Sequence, residues 1–154
     1  MVIGVISDTH GLLRQEALQA FADAKVEHIL HAGDVGDIAI LQALHTLASV
    51  TAIRGNIDVS GPCSDLPLTN VVELSGIIFY LVHSISDLDI NPAVAGISVV
   101  ISGHSHRSSI EVKDGVLYFN PGSAGPKRFS LPITAGLIVV SDGIESSILD
   151  LSAG

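Results

Sequence analysis

Short apolar runs alternate with helical patterns over the first third of the chain. The segment Val2–Ile6 is apolar and partly β-branched, as are residues 26–30 and 50–53, and such runs are typical of buried strands. Between them, apolar residues recur at helical spacing over residues 12–21 and 38–47. The order strand, helix, strand, helix, strand is typical of βαβ units, so the sequence predicts a parallel sheet here.

Paired apolar runs replace this pattern after Pro67. Three glycine-containing dipeptides, Ser75-Gly76, Asp114-Gly115 and Asp142-Gly143, each separate two apolar runs, and a further run covers residues 97–101. Such dipeptides are typical of β-hairpins, and we expect the first hairpin to make the sheet mixed. Because a chain of 154 residues has the usual size of one domain, we predict a single domain over residues 1–154. Its expected fold class is α/β, a layered sandwich of mixed β-sheets flanked by helices.

The composition excludes several classes of protein. Apolar residues make up 47% of the chain and charged residues 15%, which rules out a disordered protein. The formal net charge of -9 would repel a phosphate backbone or an anionic lipid surface, so we do not expect a nucleic-acid binder. The only cysteine, Cys63, cannot form an internal disulfide, which indicates a reducing compartment. We see neither a signal peptide nor an apolar run of about 18 residues, and therefore expect a soluble, cytoplasmic protein without a membrane span.

Metal-ligand residue types stand where successive apolar runs end. They are Asp8, His10, Asp34, Asn56, His83, His104 and His106. The carboxyl edge of an open α/β sheet is where binding crevices form. Imidazoles combined with carboxylate and amide oxygens suit Mn, Fe, Zn, Co or Ni better than Ca or Mg. Because Asp34 has two oxygens that can bridge two cations, the set predicts a centre of two divalent transition-metal ions, with manganese as the first choice.

Each of these residues has a structural alternative when it is taken alone. Asp8 would cap the following helix, as we expect of Asp37 at the second helix. Asn56 belongs to an ordinary turn pair, and His83 alone reads as a hydrogen-bonded core histidine. The GHSH segment at residues 103–106 is compatible with a solvated loop. Only the joint pattern favours a metal site.

Three further histidines are left out of the ligand set. We expect His28 and His45 to be structural or solvated, whereas His31 is a candidate for a supporting contact with Asp34.

Five motifs in order resemble those of the calcineurin-like metallophosphoesterases. They are SDTHG at residues 7–11, HAGD at 31–34, GNID at 55–58, His83, and GHSH at 103–106. The compact length and NPGS at residues 120–123 make the chain most similar to the small YfcE-type phosphodiesterases of bacteria and archaea. The resemblance implies one metal held by Asp8, His10, Asp34 and His106, and a second held by Asp34, Asn56, His83 and His104. We take Asp34, Asn56 and His104 as the catalytic residues.

The resemblance implies an enzyme that hydrolyses a small phosphate ester with a hydroxide shared by the two metals. The four positive charges of two divalent ions would offset the acidity of the chain at the site. Two residues depart from the family patterns: Ser84 follows the ligand histidine where a glycine is usual, and Ile57 replaces the histidine with which protein phosphatases assist the leaving group. Leaving-group protonation must therefore come from elsewhere.

Several residues outside the ligand set are candidates for secondary roles. Arg54, Asp58 and Ser105 are candidates for orienting the substrate or water. Lys127 and Arg128, which follow the NPGS motif, would meet a phosphate or serve as ordinary surface charges.

Three other functions compete with the phosphodiesterase hypothesis. A phosphomonoesterase would use the same centre with a different substrate cleft. A catalytically weak scaffold that binds protein partners, like the retromer subunit of this fold, would be expected to lack ligands, whereas all seven positions are filled here. A metal-storage or metal-sensing protein would need no strand-end cleft.

The low charge and high apolar content of the chain also favour a homo-oligomer.

Overall fold

The computed structural model describes residues 1–128 and 130–152, which form two five-stranded β-sheets and two α-helices. The elements in chain order are β1 (Val2–Ile6), α1 (Gln15–Ala24), β2 (His28–His31), α2 (Ile38–His45), β3 (Ser49–Ala52), β4 (Thr69–Leu74), β5 (Ile77–Val82), β6 (Val99–Ile101), β7 (Ser109–Lys113), β8 (Val116–Asn120), β9 (Thr134–Val140) and β10 (Ile144–Asp150). The first sheet has the order β10-β9-β1-β2-β3, and the second has the order β4-β5-β6-β8-β7.

The first sheet confirms the predicted βαβ units. Strand β1 pairs in parallel with β2, and β2 pairs in parallel with β3. The helix predicted over residues 12–21 instead begins at Gln15, so the apolar residues Leu12 and Leu13 precede it. The reason is that residues 8–11 are held by the next loop, because His10 and Gly11 donate their N–H groups to the carbonyls of Asp34 and Val35.

The two helix starts decide between alternatives that the sequence left open. Asp37 caps α2, as predicted, because its Oδ1 accepts a hydrogen bond of 2.9 Å from the N–H of Ala39. Asp8 caps no helix, since the residue before α1 is Arg14 and makes no side-chain cap.

All three predicted hairpins form. Strand pairs β4–β5, β7–β8 and β9–β10 are antiparallel around the three glycine-containing turns. The first of them, which we expected to make the parallel sheet mixed, instead begins the second sheet. The first sheet becomes mixed through β9, which pairs antiparallel with β1.

Most of the buried apolar side chains form two layers. One layer lies between the sheets and includes Phe79 and Phe119 from the second sheet and Ile3 from the first. The other lies between the first sheet and its helices, with Phe21 of α1 fully buried. Burial of each such side chain stabilises the fold by roughly 1.5–3 kcal/mol. The structure confirms the predicted α/β sandwich of mixed sheets.

Candidate metal centre

The candidate ligands lie in loops that follow the carboxyl ends of β1, β2, β3, β5 and β6. Because these strands are parallel within each sheet and the sheets stack face to face, the loops meet at one edge of the sandwich. There, Nε2 of both His10 and His83 lies 3.3 Å from Oδ2 of Asp34. Nε2 of His106 lies 3.5 Å from Oδ1 of Asp8.

Asn56 connects the remaining candidates to this group. Its Oδ1 lies 3.0 Å from Nε2 of His83 and 3.2 Å from Nδ1 of His104. The structure therefore brings together all seven residues that the sequence singled out, with Asp34 between the histidine at position 10 and the one at position 83.

The carboxylate of Asp34 is held in its ionised form. Oδ1 accepts a hydrogen bond of 3.0 Å from the N–H of Ile57, and Oδ2 faces the two imidazoles. Burial by itself raises the pKa of Asp34, but the hydrogen bonds from His83 and Ile57 outweigh it and lower the pKa to about 2. A charged carboxylate with imidazoles on two sides is a bridging position for cations.

Asp8 is fully buried and has one oxygen without a partner. Its Oδ2 accepts hydrogen bonds from Oγ of Ser7 (2.8 Å) and from the N–H of His104 (3.0 Å). Its Oδ1 accepts none from the described residues, and Nε2 of His10 is also buried without a hydrogen-bond partner. Burial raises the pKa of Asp8. Such unmet groups are costly in a folded protein, and a divalent cation would satisfy both of them.

Two overlapping sets of donors have the spacing that a metal ion needs. Asp8, His10 and His106 each offer one atom within 4.8 Å of the others, and so do Asp8, Asp34 and His83. These oxygen and nitrogen donors fit a divalent transition metal. The sequence did not indicate that Asp8 would belong to both sets, because Asp34, His83 and His106 come from loops other than its own.

His83 is oriented so that its outer nitrogen faces the site. Its Nδ1 lies 2.7 Å from the carbonyl oxygen of Ala32, which only accepts, so Nδ1 carries a proton. Although burial lowers its pKa, the hydrogen bond with Asp34 raises it overall. A backbone carbonyl behind a metal-binding histidine fixes the ring and leaves Nε2 as the donor atom.

His106 lies beside His10 and Asp8, and its ring centre is 5.3 Å from that of His10. Burial lowers its pKa; the charge of Asp8 opposes this shift, and that of Arg128 adds to it. The side chain of Arg128 therefore contributes positive potential on this side of the site.

The ligand loops adopt strained backbone conformations. Five of the seven candidates are non-glycine residues with positive φ: Asp8 (56°), His10 (48°), Asp34 (55°), His104 (70°) and His106 (63°). Such angles are uncommon outside glycine and concentrate at functional sites. The loop after β3 approaches the Asp34 loop so closely that a glycine is required at position 55, since a Cβ on Gly55 would overlap the carboxylate of Asp34.

Two residues proposed for supporting roles make contacts that the sequence did not indicate. Nδ1 of His31 lies 3.1 Å from the N–H of Gly33, and its Nε2 contacts Thr9 rather than Asp34. The carboxylate of Asp58 is buried and accepts three backbone N–H groups at 2.9–3.1 Å. The oxygens of Asp58 therefore hold loops together, and its role in orienting substrate or water stays a prediction.

The NPGS segment lies against the site. Oγ of Ser123 donates a hydrogen bond to the carbonyl of Asp8. Nδ2 of Asn120 donates to the carbonyl of Gly103 at 3.0 Å, next to the GHSH loop. Ser7 and Asn120 were not predicted to support the ligands, and their places inside the motifs are the only signal for them in the sequence.

A cavity of about 660 Å³ opens beside Asn56, His83 and His104. Its other lining residues are Arg54, Gly55, Leu68, Thr69, Tyr80, Val82, Ser84, Ser86, Asp87 and Asp89. Ser84, which stands where the family usually has glycine, hydrogen-bonds to Ser86 within this wall. The volume falls in the range of small-molecule sites.

Comparison with known proteins identifies the family. Residues 1–143 match the calcineurin-like phosphoesterase superfamily domain. A probable metallophosphoesterase of Methanocaldococcus jannaschii is 34% identical over 98% of this chain and 82% of its own length. The chain belongs to the calcineurin-like phosphoesterases, and the predicted metallophosphoesterase class is confirmed at the level of the family.

Solved structures agree with this assignment. A novel archaeal phosphodiesterase has a TM-score of 0.76 and 26% identity, with 97% of this chain and all of that chain (100%) covered. YfcE, a phosphoesterase of E. coli, has a TM-score of 0.76 and 23% identity, covering 99% and 94%. Vps29 of Entamoeba histolytica, solved with Zn²⁺, has a TM-score of 0.74 and 21% identity, covering 98% and 99%. The last two likenesses show the fold alone.

In the part of the chain that the structure describes, neither helix has the length and hydropathy of a membrane-spanning segment.

Proposed function

We propose that the protein is a phosphodiesterase that hydrolyses small phosphodiesters with two divalent transition-metal ions. The observation that carries the proposal is the position of the Asp34 carboxylate between His10 and His83. It lies beside Oδ1 of Asp8, which has no hydrogen-bond partner among the described residues. Asp8, His10 and His106 would hold one ion with Asp34. Asn56, His83 and His104 would hold the other, again with Asp34.

Bound metals would neutralise charge on the phosphoryl oxygens and make water a stronger nucleophile. The chain's own residues keep the ligands ready for this role. The Ala32 carbonyl fixes the ring of His83, and the Ser7 hydroxyl and the His104 N–H fix the second oxygen of Asp8. Asp34 stays ionised throughout the neutral range because its pKa is about 2.

Manganese is the proposed native metal, with Ni, Fe, Co or Zn as alternatives. Mixed imidazole and oxygen donors support a transition metal over calcium. The charge of two such ions supports binding of an anionic ester despite the net charge of -9.

The cavity favours a diester over a monoester as substrate. It adjoins the residues proposed for the second metal, Asn56, His83 and His104, and offers about 660 Å³ to a second ester group. A relative that shares 31% identity over 90% of this chain is named a phosphodiesterase. A phosphomonoesterase remains the second enzymatic candidate.

The scaffold hypothesis receives support only from the shared fold of Vps29. A protein that only binds partners would need neither a complete set of metal donors nor strained ligand loops. The cytoplasmic location, the homo-oligomer and the single domain stay predictions.

The proposal is tested by assaying the metal-depleted protein, with and without added Mn²⁺, on bis(p-nitrophenyl) phosphate and on p-nitrophenyl phosphate. We expect activity only with metal, and a higher kcat/KM for the diester. Asp34→Asn and His104→Ala should lose at least about 100-fold in kcat/KM, whereas His45→Ala, an exposed histidine of α2, should not. Equal turnover in all four proteins would refute the proposal, and a preference for the monoester would identify a phosphomonoesterase.

A further inference from the structure

We propose that Arg54 is a catalytic residue that stabilises negative charge on the leaving-group oxygen. This inference rests on the proposed phosphodiesterase function. It assigns a role to a residue of the substrate cavity that lies outside the proposed metal ligands.

Arg54 follows β3 and lies two residues before Asn56. It lines the same cavity as Asn56, His83 and His104, and it is the only lysine or arginine among the lining residues that the structure describes. The side chain is partly buried. A cation that lines this cavity adds positive charge beside any ester group that extends into it from the second metal position.

The guanidinium is held in place by the chain itself. The backbone N–H of Arg54 donates to the carbonyl of Pro67 at 2.9 Å, and its Nη1 donates to the carbonyl of Ser64 at 3.1 Å. Fixed donors stabilise a developing charge better than mobile ones, because they need no reorganisation during the reaction.

Part of the hydrogen-bonding capacity of Arg54 is unmet. Its Nε is buried and has no acceptor among the described residues. A buried donor without a partner costs free energy. Neither Asp87 nor Asp89, which line the same cavity, forms an ion pair with Arg54 in the described part of the chain. The positive charge therefore remains available to an anion in the cavity.

The reaction requires such a group because Ile57 cannot supply a proton. Ile57 contributes only its backbone N–H to the site, as the donor to Asp34. During hydrolysis, the oxygen of water joins phosphorus, and the P–O ester bond breaks with its electron pair on the leaving oxygen. One proton of the water ends on that oxygen through solvent, and the other is released to solvent.

A guanidinium stays protonated at the pH of any such reaction. Arg54 therefore acts by donating hydrogen bonds to the leaving oxygen and by its charge, not by transferring a proton. This role predicts a specific kinetic signature, since stabilisation matters most when the leaving oxygen is most basic.

The test compares methyl aryl phosphodiesters whose phenol leaving groups range from p-nitrophenol to unsubstituted phenol. Arg54→Gln should reduce kcat/KM by about 100-fold for phenol but far less for p-nitrophenol. The dependence of log kcat/KM on the pKa of the leaving group then becomes steeper. Arg54→Lys should restore part of the loss, and Lys113→Gln, an exposed cation on β7, should match the wild type.

An equal loss across the series would overturn the proposal, because a purely structural role lowers all rates together. A wild type that hydrolyses none of the diesters would instead refute the phosphodiesterase function itself. The two failures are therefore distinguishable.

A binding measurement covers the case in which Arg54→Gln fails to fold. In wild-type protein labelled with ¹⁵N, the Nε–H signal of Arg54 should shift when phenyl phosphate is added to the manganese-free, zinc-loaded form. The Nε–H signal of Arg14, which donates to the carbonyl of Gly125, serves as a reference. An Arg54 signal that does not move at saturating phenyl phosphate would contradict the binding of an anion beside the guanidinium.

Discussion

Nε2 of His31 lies 3.0 Å from Oγ1 of Thr9, and this hydrogen bond joins the loop of Asp8 and His10 to the loop of Asp34. Both side chains are fully buried. The N–H of Gly33 donates to Nδ1 of His31, so the proton of the neutral ring is on Nε2 and is donated to Thr9. The hydroxyl of Thr9 in turn donates a hydrogen bond to the carbonyl of Val35 at 2.8 Å.

The first prediction concerns this connection. His31→Leu removes both hydrogen bonds of the ring and leaves the N–H of Gly33 buried without an acceptor. We expect the affinity for Mn²⁺, measured by isothermal titration calorimetry, to fall about 10- to 100-fold. His31→Gln can both accept and donate, so it should keep more of the affinity. Equal affinities of the leucine variant and the wild type would show that the connection does not position the ligands.

The second prediction is a pH dependence of stability in the metal-free protein. Burial lowers the pKa of His31 from 6.5 to about 4 in the folded state. The unfolded chain therefore binds more protons than the folded chain between these values, and the stability contributed above pH 6.5 is lost as the pH falls towards 4. The loss amounts to about 3 kcal/mol at most.

Urea unfolding at pH 7.5 and at pH 4.5 measures this contribution. The free energy of unfolding should fall more for the wild type than for His31→Gln, because the glutamine does not titrate. Parallel decreases in the two proteins would mean that His31 accepts a proton equally well in both states.

The third prediction concerns the close approach of the loop after β3 to the loop that carries Asp34. A Cβ at position 55 would overlap the side chain and backbone N–H of Asp34. Gly55→Ala should therefore displace Asp34, weaken Mn²⁺ binding at least about 10-fold, and destabilise the fold by about 1–3 kcal/mol.

Gly143→Ala is the matched control, since a Cβ there meets nothing within 4 Å. Calorimetric titration and thermal unfolding of both variants provide the comparison. Retention of wild-type metal affinity by Gly55→Ala would show that the site tolerates movement of Asp34.

Much of the fold follows from patterns that are local in the sequence. The βαβ units and the three hairpins depend on apolar periodicity and on turn residues such as Gly76, and all of them form. The predicted start of α1 was wrong because the residues just before Leu12, up to Gly11, are held by the backbone of the Asp34 loop, and periodicity does not report contacts of that kind. The division into two sheets depends on packing between distant strands and was visible only as a change of pattern after Pro67.

The candidate ligands were also visible in the sequence, because strand ends carry chemistry in this type of fold. The contacts that hold these ligands in place were not visible in the sequence. The contacts of His31 with Thr9 and of Asp58 with Val35 are made across loops, and residue type alone does not indicate which groups a side chain will reach. The strained angle at His104 likewise depends on the assembled edge of the sheets.

The central claim is that the loops around Asp34 hold two metal ions. An anomalous difference map from crystals grown with Mn²⁺ tests it most directly. We expect two peaks about 3.5–4 Å apart on either side of the Asp34 carboxylate, one beside His10 and His106 and the other beside His83 and His104. A map without peaks in contact with Asp34, or with manganese bound only elsewhere on the protein, would contradict the account.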